Sequence, residues 1–72
     1  MAAVQIWIEG VEHPFVLRFK EFETARAMAA RISLEATNSN PRSSPYVDDG
    51  GYELAFRLSL LRAIVVDPNE AA

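Results

Sequence analysis

The chain contains no cysteine, and this absence excludes both disulfide cross-links and thiolate metal sites. A domain of 72 residues buries only about 60% of the surface that its unfolded form exposes. A core of that size usually needs further support. With disulfides excluded, the support has to come from close packing or from a second chain. We therefore expect one small domain over residues 1–72, with self-association favoured before any motif is considered.

Basic charge and long apolar runs are also scarce. Seven Lys and Arg residues face ten Asp and Glu residues, so the net charge is −3. Proteins that bind nucleic acid or membrane surfaces through charge carry a basic excess instead. No segment approaches the ~18 apolar residues of a membrane span, and the N-terminus lacks the basic segment that opens an export signal. We expect a cytoplasmic protein that does not bind membranes.

Alternating apolar residues near the N-terminus predict a β-hairpin. Apolar side chains occupy every second position in residues 4–9 and again in residues 15–20, which is the period of a half-buried strand. Gly10 and Pro14 supply a turn between the two segments. The sequence therefore predicts two antiparallel strands joined by a short connection.

The apolar pattern changes to a period of 3.6 residues after Phe22. Between Thr24 and Thr37 the apolar side chains fall on one stripe, which predicts an amphipathic helix that packs on a sheet. Thr24 is the predicted N-cap, because its hydroxyl can accept a hydrogen bond from a first-turn N–H group. Asn38 and Pro41 are expected to end the helix. The predicted stripe consists of Ala25, Met28, Ala29, Ile32 and Ala36.

A polar segment follows the helix. Residues 38–51 are rich in Asn, Ser, Pro, Asp and Gly, and predict a long mobile loop. Tyr46 and Val47 are the apolar pair expected to pin this loop to the domain. We expect Tyr46 to cover Leu34, which lies opposite the core stripe of the helix; the alternative is a helix–helix contact at Leu34.

The C-terminal third predicts two more strands. Residues 52–58 alternate again, residues 61–66 are rich in β-branched side chains, and the tail at residues 69–72 is expected to fray. The assembled prediction is an α+β domain of the ββαββ type, with a four-stranded, mostly antiparallel sheet and one helix on one face. The side chains predicted to face the helix are Val4, Ile6, Ile8, Phe15, Leu17, Phe19, Leu54, Phe56, Leu58, Ile64 and Val66.

The sequence contains no complete catalytic or metal-binding set. His13 is the single histidine, and it lies in the first turn with no second His, Cys or nearby Ser to complete a triad or a metal site. The acidic segment at residues 48–51 lacks the spread of oxygen ligands and the closing Glu of a calcium loop, so turn formation before a strand explains it. We expect no enzymatic activity, no cofactor and no metal.

The sheet face opposite the helix is predicted to be uncovered. Trp7 forms its apolar centre with other small and branched side chains, and charged residues surround it, as in a protein interface. The alternative is an ordinary solvated sheet in which the indole lies against the stems of Arg18 or Lys20. The predicted binding residues are Trp7, Val16, Arg18, Arg57 and Val65.

Three functions remain open from the sequence. The preferred one is non-enzymatic protein–protein interaction, with a second copy of the chain as the expected partner. The second is single-stranded nucleic-acid binding by Trp7 together with Arg18, Lys20 and Arg57, although the net negative charge and the single aromatic oppose it. The third is inhibition of a larger protein machine, as some small phage proteins do, which rests on the acidic balance and on the hairpin–helix plan alone.

Overall fold

An α-helix and two antiparallel sheets make up the described part of the chain. The computed structural model describes residues 1–38 and 45–69. A short 3-10 helix at Leu58–Leu60 precedes the last strand. The other elements are β1 (Ala2–Ile8), β2 (Phe15–Phe19), α1 (Phe22–Thr37), β3 (Tyr46–Val47), β4 (Glu53–Leu54) and β5 (Leu61–Asp67).

The main sheet has three strands, with β1 in the centre. β1 is antiparallel to both β2 and β5, and Val4 lies opposite Leu17 on one side and Val66 on the other. The predicted N-terminal hairpin and the predicted C-terminal strand are confirmed. A bulge interrupts the pairing of β1 with β5, because Arg62 is an extra residue between two successive partners of β1.

The predicted four-stranded sheet is wrong. Within residues 52–58, only Glu53–Leu54 form a strand, and this strand pairs with Tyr46–Val47 in a separate two-stranded sheet. The chain then leaves strand geometry and enters the 3-10 helix. Leu54 and Leu58 are nevertheless buried, as their alternation suggests. The alternation of apolar residues therefore indicates which side chains are buried in the core. It does not require a strand, because an irregular segment can bury alternate side chains as well.

The core lies between α1 and one face of the three-stranded sheet. The period of 3.6 in the helix and the period of two in the strands bring their apolar sides together, so the predicted strand parity and helix stripe are confirmed. No polar or charged side chain is buried among residues 1–38 and 45–69. The buried cluster consists of Ala2, Val4, Ile6, Leu17, Phe19, Ala25, Ala29, Ile32, Tyr46 and Leu54.

The start of α1 differs from its prediction. The helix begins at Phe22, and Glu21 occupies the N-cap position in an extended conformation, with φ −112° and ψ 137°. The Glu21 side chain makes no capping hydrogen bond. Thr24 lies inside the first turn, so its assignment as the N-cap is wrong. A Thr that precedes an apolar stripe is the N-cap only if the helix begins directly after it. Here the helix begins two residues before Thr24.

Because the Glu21 side chain makes no capping hydrogen bond, substitutions can test where the helix begins. Glu21→Ser should raise the free energy of unfolding by about 0.5–1 kcal/mol, because a serine hydroxyl accepts from a first-turn N–H group where the Glu21 side chain does not. Thr24→Ala should leave stability unchanged or slightly higher, since alanine favours a helix interior. Urea denaturation followed by circular dichroism measures both. A loss of about 1 kcal/mol in Thr24→Ala would instead identify Thr24 as the cap.

Candidate interaction surface

The sheet face that points away from α1, here called the outer face, carries four of the five predicted binding residues. Gln5 on the central strand lies opposite Val16 on β2 and Val65 on β5, so these side chains form one row across the sheet. Trp7 lies beside Ala63 in the next row. Trp7 is half-buried and does not belong to the core cluster, and Val65 is 45% exposed. The strand register thus brings Trp7, Val16 and Val65 together.

The third row of the outer face is charged at both ends. Ala3 lies between Arg18 on β2 and Asp67 on β5. Ala3 is fully buried even though it faces away from the helix. The outer face is therefore closed at this end, and its exposed apolar part is the side of β5 and the end of β1 that carries Trp7.

Arg57 does not belong to the outer face. It precedes the 3-10 helix, outside the three-stranded sheet, and it is exposed there. Its predicted place on the outer face depended on residues 52–58 joining the main sheet as a fourth strand, and that strand does not form. Arg57 is one of the three cations predicted for the nucleic-acid alternative, and it is not on a strand of this sheet.

The acidic turn after β3 seals the outer edge of β2. The Arg18 N–H donates to Asp48 Oδ2 at 3.0 Å, and the Arg18 carbonyl accepts from the Asp49 N–H at 3.1 Å. The Lys20 N–H donates to Asp49 Oδ2 at 2.7 Å. An edge strand exposes unpaired backbone groups that attract other strands. Here one turn occupies them, a role that sequence reasoning missed.

Asp48 is the centre of this turn. Its Oδ1 accepts hydrogen bonds from the Gly50 N–H and the Tyr52 N–H, both at 2.9 Å, while its Oδ2 accepts the bond from the Arg18 N–H. Partial burial alone would raise the pKa of Asp48, but these three N–H donors and the Arg18 charge outweigh burial, so the pKa lies below its ordinary value of 3.8. The carboxylate form is therefore the one that holds the turn on β2.

Tyr46 anchors the second half of the predicted loop. Its ring is fully buried, lies 6.1 Å from the Phe56 ring, and has the Arg31 guanidinium 4.8 Å above its centre. Its hydroxyl donates to the Glu35 carboxylate, while Leu34 stays 63% exposed. The loop thus packs against the helix as expected, but at Arg31 and Glu35 and not at Leu34. The part of the predicted mobile loop at residues 39–44 and the predicted frayed tail at residues 70–72 lie outside the described residues.

Hydrogen bonding and charge shift two pKa values in this anchor. The bond from Tyr46 is the main reason that the pKa of Glu35 is lowered; burial opposes this effect and Arg31 adds to it. Burial and the adjacent Glu35 carboxylate raise the pKa of Tyr46 well above its ordinary value. Glu35 stays ionised and Tyr46 stays protonated at neutral pH, which is the arrangement their hydrogen bond needs.

β5 is the second edge of the sheet, and it contrasts with β2. Five of its seven residues are apolar, yet none of the seven is buried. β2 is also an edge strand, but it buries Leu17 and Phe19. Among residues 1–38 and 45–69, no backbone group outside β1 bonds to the ladder groups of β5. β5 therefore offers apolar surface, together with backbone groups that no residue of 1–38 or 45–69 occupies.

The same described ranges hold no cluster of three or more His, Asp or Glu side chains able to bind a metal ion. His13 is exposed in the connection between β1 and β2. α1 does not combine the length and the apolar character needed to cross a bilayer, and neither does any other helix in the described part. Comparison of the chain with protein-family models, with curated proteins and with solved structures found no match.

Proposed function

We propose that this chain is a non-enzymatic protein-interaction domain whose partner is a second copy of itself. The observation that carries the proposal is the incomplete burial of β5, whose five apolar residues are all half-buried or exposed. A 72-residue chain without disulfides gains stability by covering such a strand. The outer face adds the half-buried Trp7 and the exposed Val65, which suit the apolar centre of an interface.

Single-stranded nucleic acid is less well supported as a partner. Arg57 lies outside the sheet, and the residue directly opposite Trp7 on β5 is Ala63, so the strand register places neither an aromatic nor a cation opposite the indole. Binding of a labelled oligonucleotide at low salt, with an affinity that falls as salt rises, would favour this function over the proposed one.

Solution mass measurement tests the homodimer directly. Light scattering coupled to size-exclusion chromatography should give a mass of twice the 8.0 kDa chain at high concentration and a lower mass on dilution. Val65→Glu should weaken association at least about tenfold, because it places two carboxylates in the contact.

Leu34→Glu is the matched control for Val65→Glu. Leu34 is more exposed than Val65 and lies on the helix, so the same substitution there should leave the dimer unchanged. A wild-type chain that stays monomeric up to its highest soluble concentration would overturn the proposed function. Equal effects of the two substitutions would show that the contact does not involve β5.

A further inference from the structure

We propose that the two copies join through antiparallel pairing of β5 with β5, so that two three-stranded sheets become one six-stranded sheet. The strand order would then be β2-β1-β5-β5-β1-β2. This inference rests on the proposed homodimer and names the contact that forms it. It identifies the occupant of the free edge as the same strand of another copy.

The hydrogen-bond pattern shows which groups of β5 are available. The N–H and carbonyl of Arg18 point away from β1, toward the acidic turn, so Arg18 and its partner Ala3 form a non-hydrogen-bonded pair. Since bonded residues alternate along an antiparallel strand, Ala3 bonds to Asp67, and Val65 and Ala63 also bond to β1.

The intervening residues of β5 therefore face the open side. The ladder groups of Ile64 and Val66 point away from β1, and no backbone group of residues 1–38 or 45–69 meets them. At the opposite edge, Asp48 and Asp49 accept hydrogen bonds from the outward N–H groups of Arg18 and Lys20. One edge of the same sheet is thus sealed within the chain and the other is left for a partner strand.

Charge identifies the partner strand as β5 itself. β5 carries a cation, Arg62, near its start and a carboxylate, Asp67, at its end. Antiparallel self-pairing places the Arg62 end of one copy beside the Asp67 end of the other, twice by symmetry, whereas parallel pairing would place like charges together. Arg62 is 67% exposed and lies 3.6 Å from Glu9, so it is already held on the sheet surface near this end.

Apolar burial on both faces of β5 supports the same contact. Ile64 and Val66 pack against the core but remain half-exposed, and Ala63 and Val65 are exposed on the outer face. In a continuous antiparallel sheet the two-fold axis runs perpendicular to the sheet, so both copies of α1 lie on one side. Each of these four residues would then gain a neighbour from the second β5 on its own face.

Proline substitution tests the backbone contact. Ile64→Pro removes an outward N–H group without removing a bond to β1, so the monomer fold should persist while dimerisation weakens by at least about a hundredfold. Ile64→Ala is the matched control, because it removes the same half-buried side chain but keeps the outward N–H group. Its dimer should weaken clearly less than that of Ile64→Pro. Far-UV circular dichroism confirms folding of both variants.

Charge reversal tests the direction of pairing without touching the backbone. Asp67→Arg alone should weaken the dimer by about tenfold. The new Arg of each copy would lie beside Arg62 of the other copy, so two pairs of like charges would repel. Arg62→Glu alone should weaken it similarly, and the double variant should return close to the wild-type dissociation constant. Effects of the two substitutions that simply add, with no recovery in the double variant, would overturn the antiparallel arrangement.

The outcomes separate this inference from the proposed function. A monomeric wild type overturns both. A wild-type dimer that Ile64→Pro leaves intact overturns β5 pairing and moves the interface to another surface. If Ile64→Pro does not fold, amide hydrogen exchange decides: slower exchange at Ile64 and Val66 in concentrated than in dilute samples supports the pairing, and equal exchange overturns it.

Discussion

Replacing Tyr46 with alanine is expected to lower the free energy of unfolding by about 3–5 kcal/mol. That loss equals most of the stability that a core of this size supplies, so the variant should be largely unfolded without a stabilising partner. Tyr46 is the largest fully buried side chain among residues 1–38 and 45–69, and it attaches the segment after α1 to the core together with Leu54. Its removal takes away a ring contact of Phe56 on one side and a contact of the Arg31 guanidinium on the other.

Tyr46→Phe separates packing from hydrogen bonding in this anchor. Phenylalanine keeps the buried ring but cannot donate to the Glu35 carboxylate, so a clearly smaller loss than that of Tyr46→Ala is expected. Leu34→Ala is the surface control, because Leu34 is 63% exposed and its truncation should change stability little. Urea denaturation of the three variants provides the comparison. Equal losses in Tyr46→Ala and Tyr46→Phe would show that the hydrogen bond, and not the ring, holds the segment.

The elements that the sequence predicts well are those with a regular burial pattern. The N-terminal hairpin, the helix stripe through Ala25, Ala29 and Ile32, and the C-terminal strand each repeat one period over several residues. The predicted third strand failed although Leu54 and Leu58 are buried as expected. Burial and backbone hydrogen bonding are separate conditions, and alternation reports only the first.

The candidate surface was predictable to the extent that it depends on parity. Trp7, Val16 and Val65 lie on one face because β1, β2 and β5 form the strands that were predicted. Arg57 was assigned to that face as part of a further strand, which does not form. The sealing of the β2 edge had no local signal. Asp48 is 30 residues from Arg18 along the chain, and only the tertiary fold brings the acidic turn to that edge.

The contrast between the two edges of the sheet links stability to the proposed function. The acidic turn bonds to the outward backbone groups of Arg18 and Lys20 at the β2 edge, while the outward groups of β5 have no such partner in the described ranges. A sheet with both edges open would extend without limit by adding copies at each side. A sheet with one sealed edge stops at two copies. Asp48 and Asp49 would therefore define the size of the assembly as well as stabilise the monomer.

Asp48→Ala is expected to lower the free energy of unfolding by about 1–2 kcal/mol at neutral pH, once the partial exposure of the turn is taken into account. Three backbone N–H groups, those of Arg18, Gly50 and Tyr52, lose their acceptor together. Asp48→Asn should cause a smaller decrease in the free energy of unfolding. Its amide keeps one acceptor oxygen but has an N–H₂ group in place of the oxygen that accepts from the Arg18 N–H. Glu53→Gln, a change at an exposed carboxylate in β4, should have little effect.

The pH dependence of the Asp48 effect has a definite sign. The pKa of Asp48 is lower in the folded chain than its ordinary value of 3.8, so the unfolded chain takes up its proton first as the pH falls. The contribution of the carboxylate is therefore complete above that ordinary value and is lost as the pH falls through the folded pKa. Urea denaturation of wild type and Asp48→Asn should show a stability gap at neutral pH that narrows as the pH falls below 3.8. A gap that stays constant over this range would show that the ionised carboxylate does not hold the turn. Larger species in Asp48→Asn at neutral pH would, in turn, identify the sealed edge as the limit on assembly.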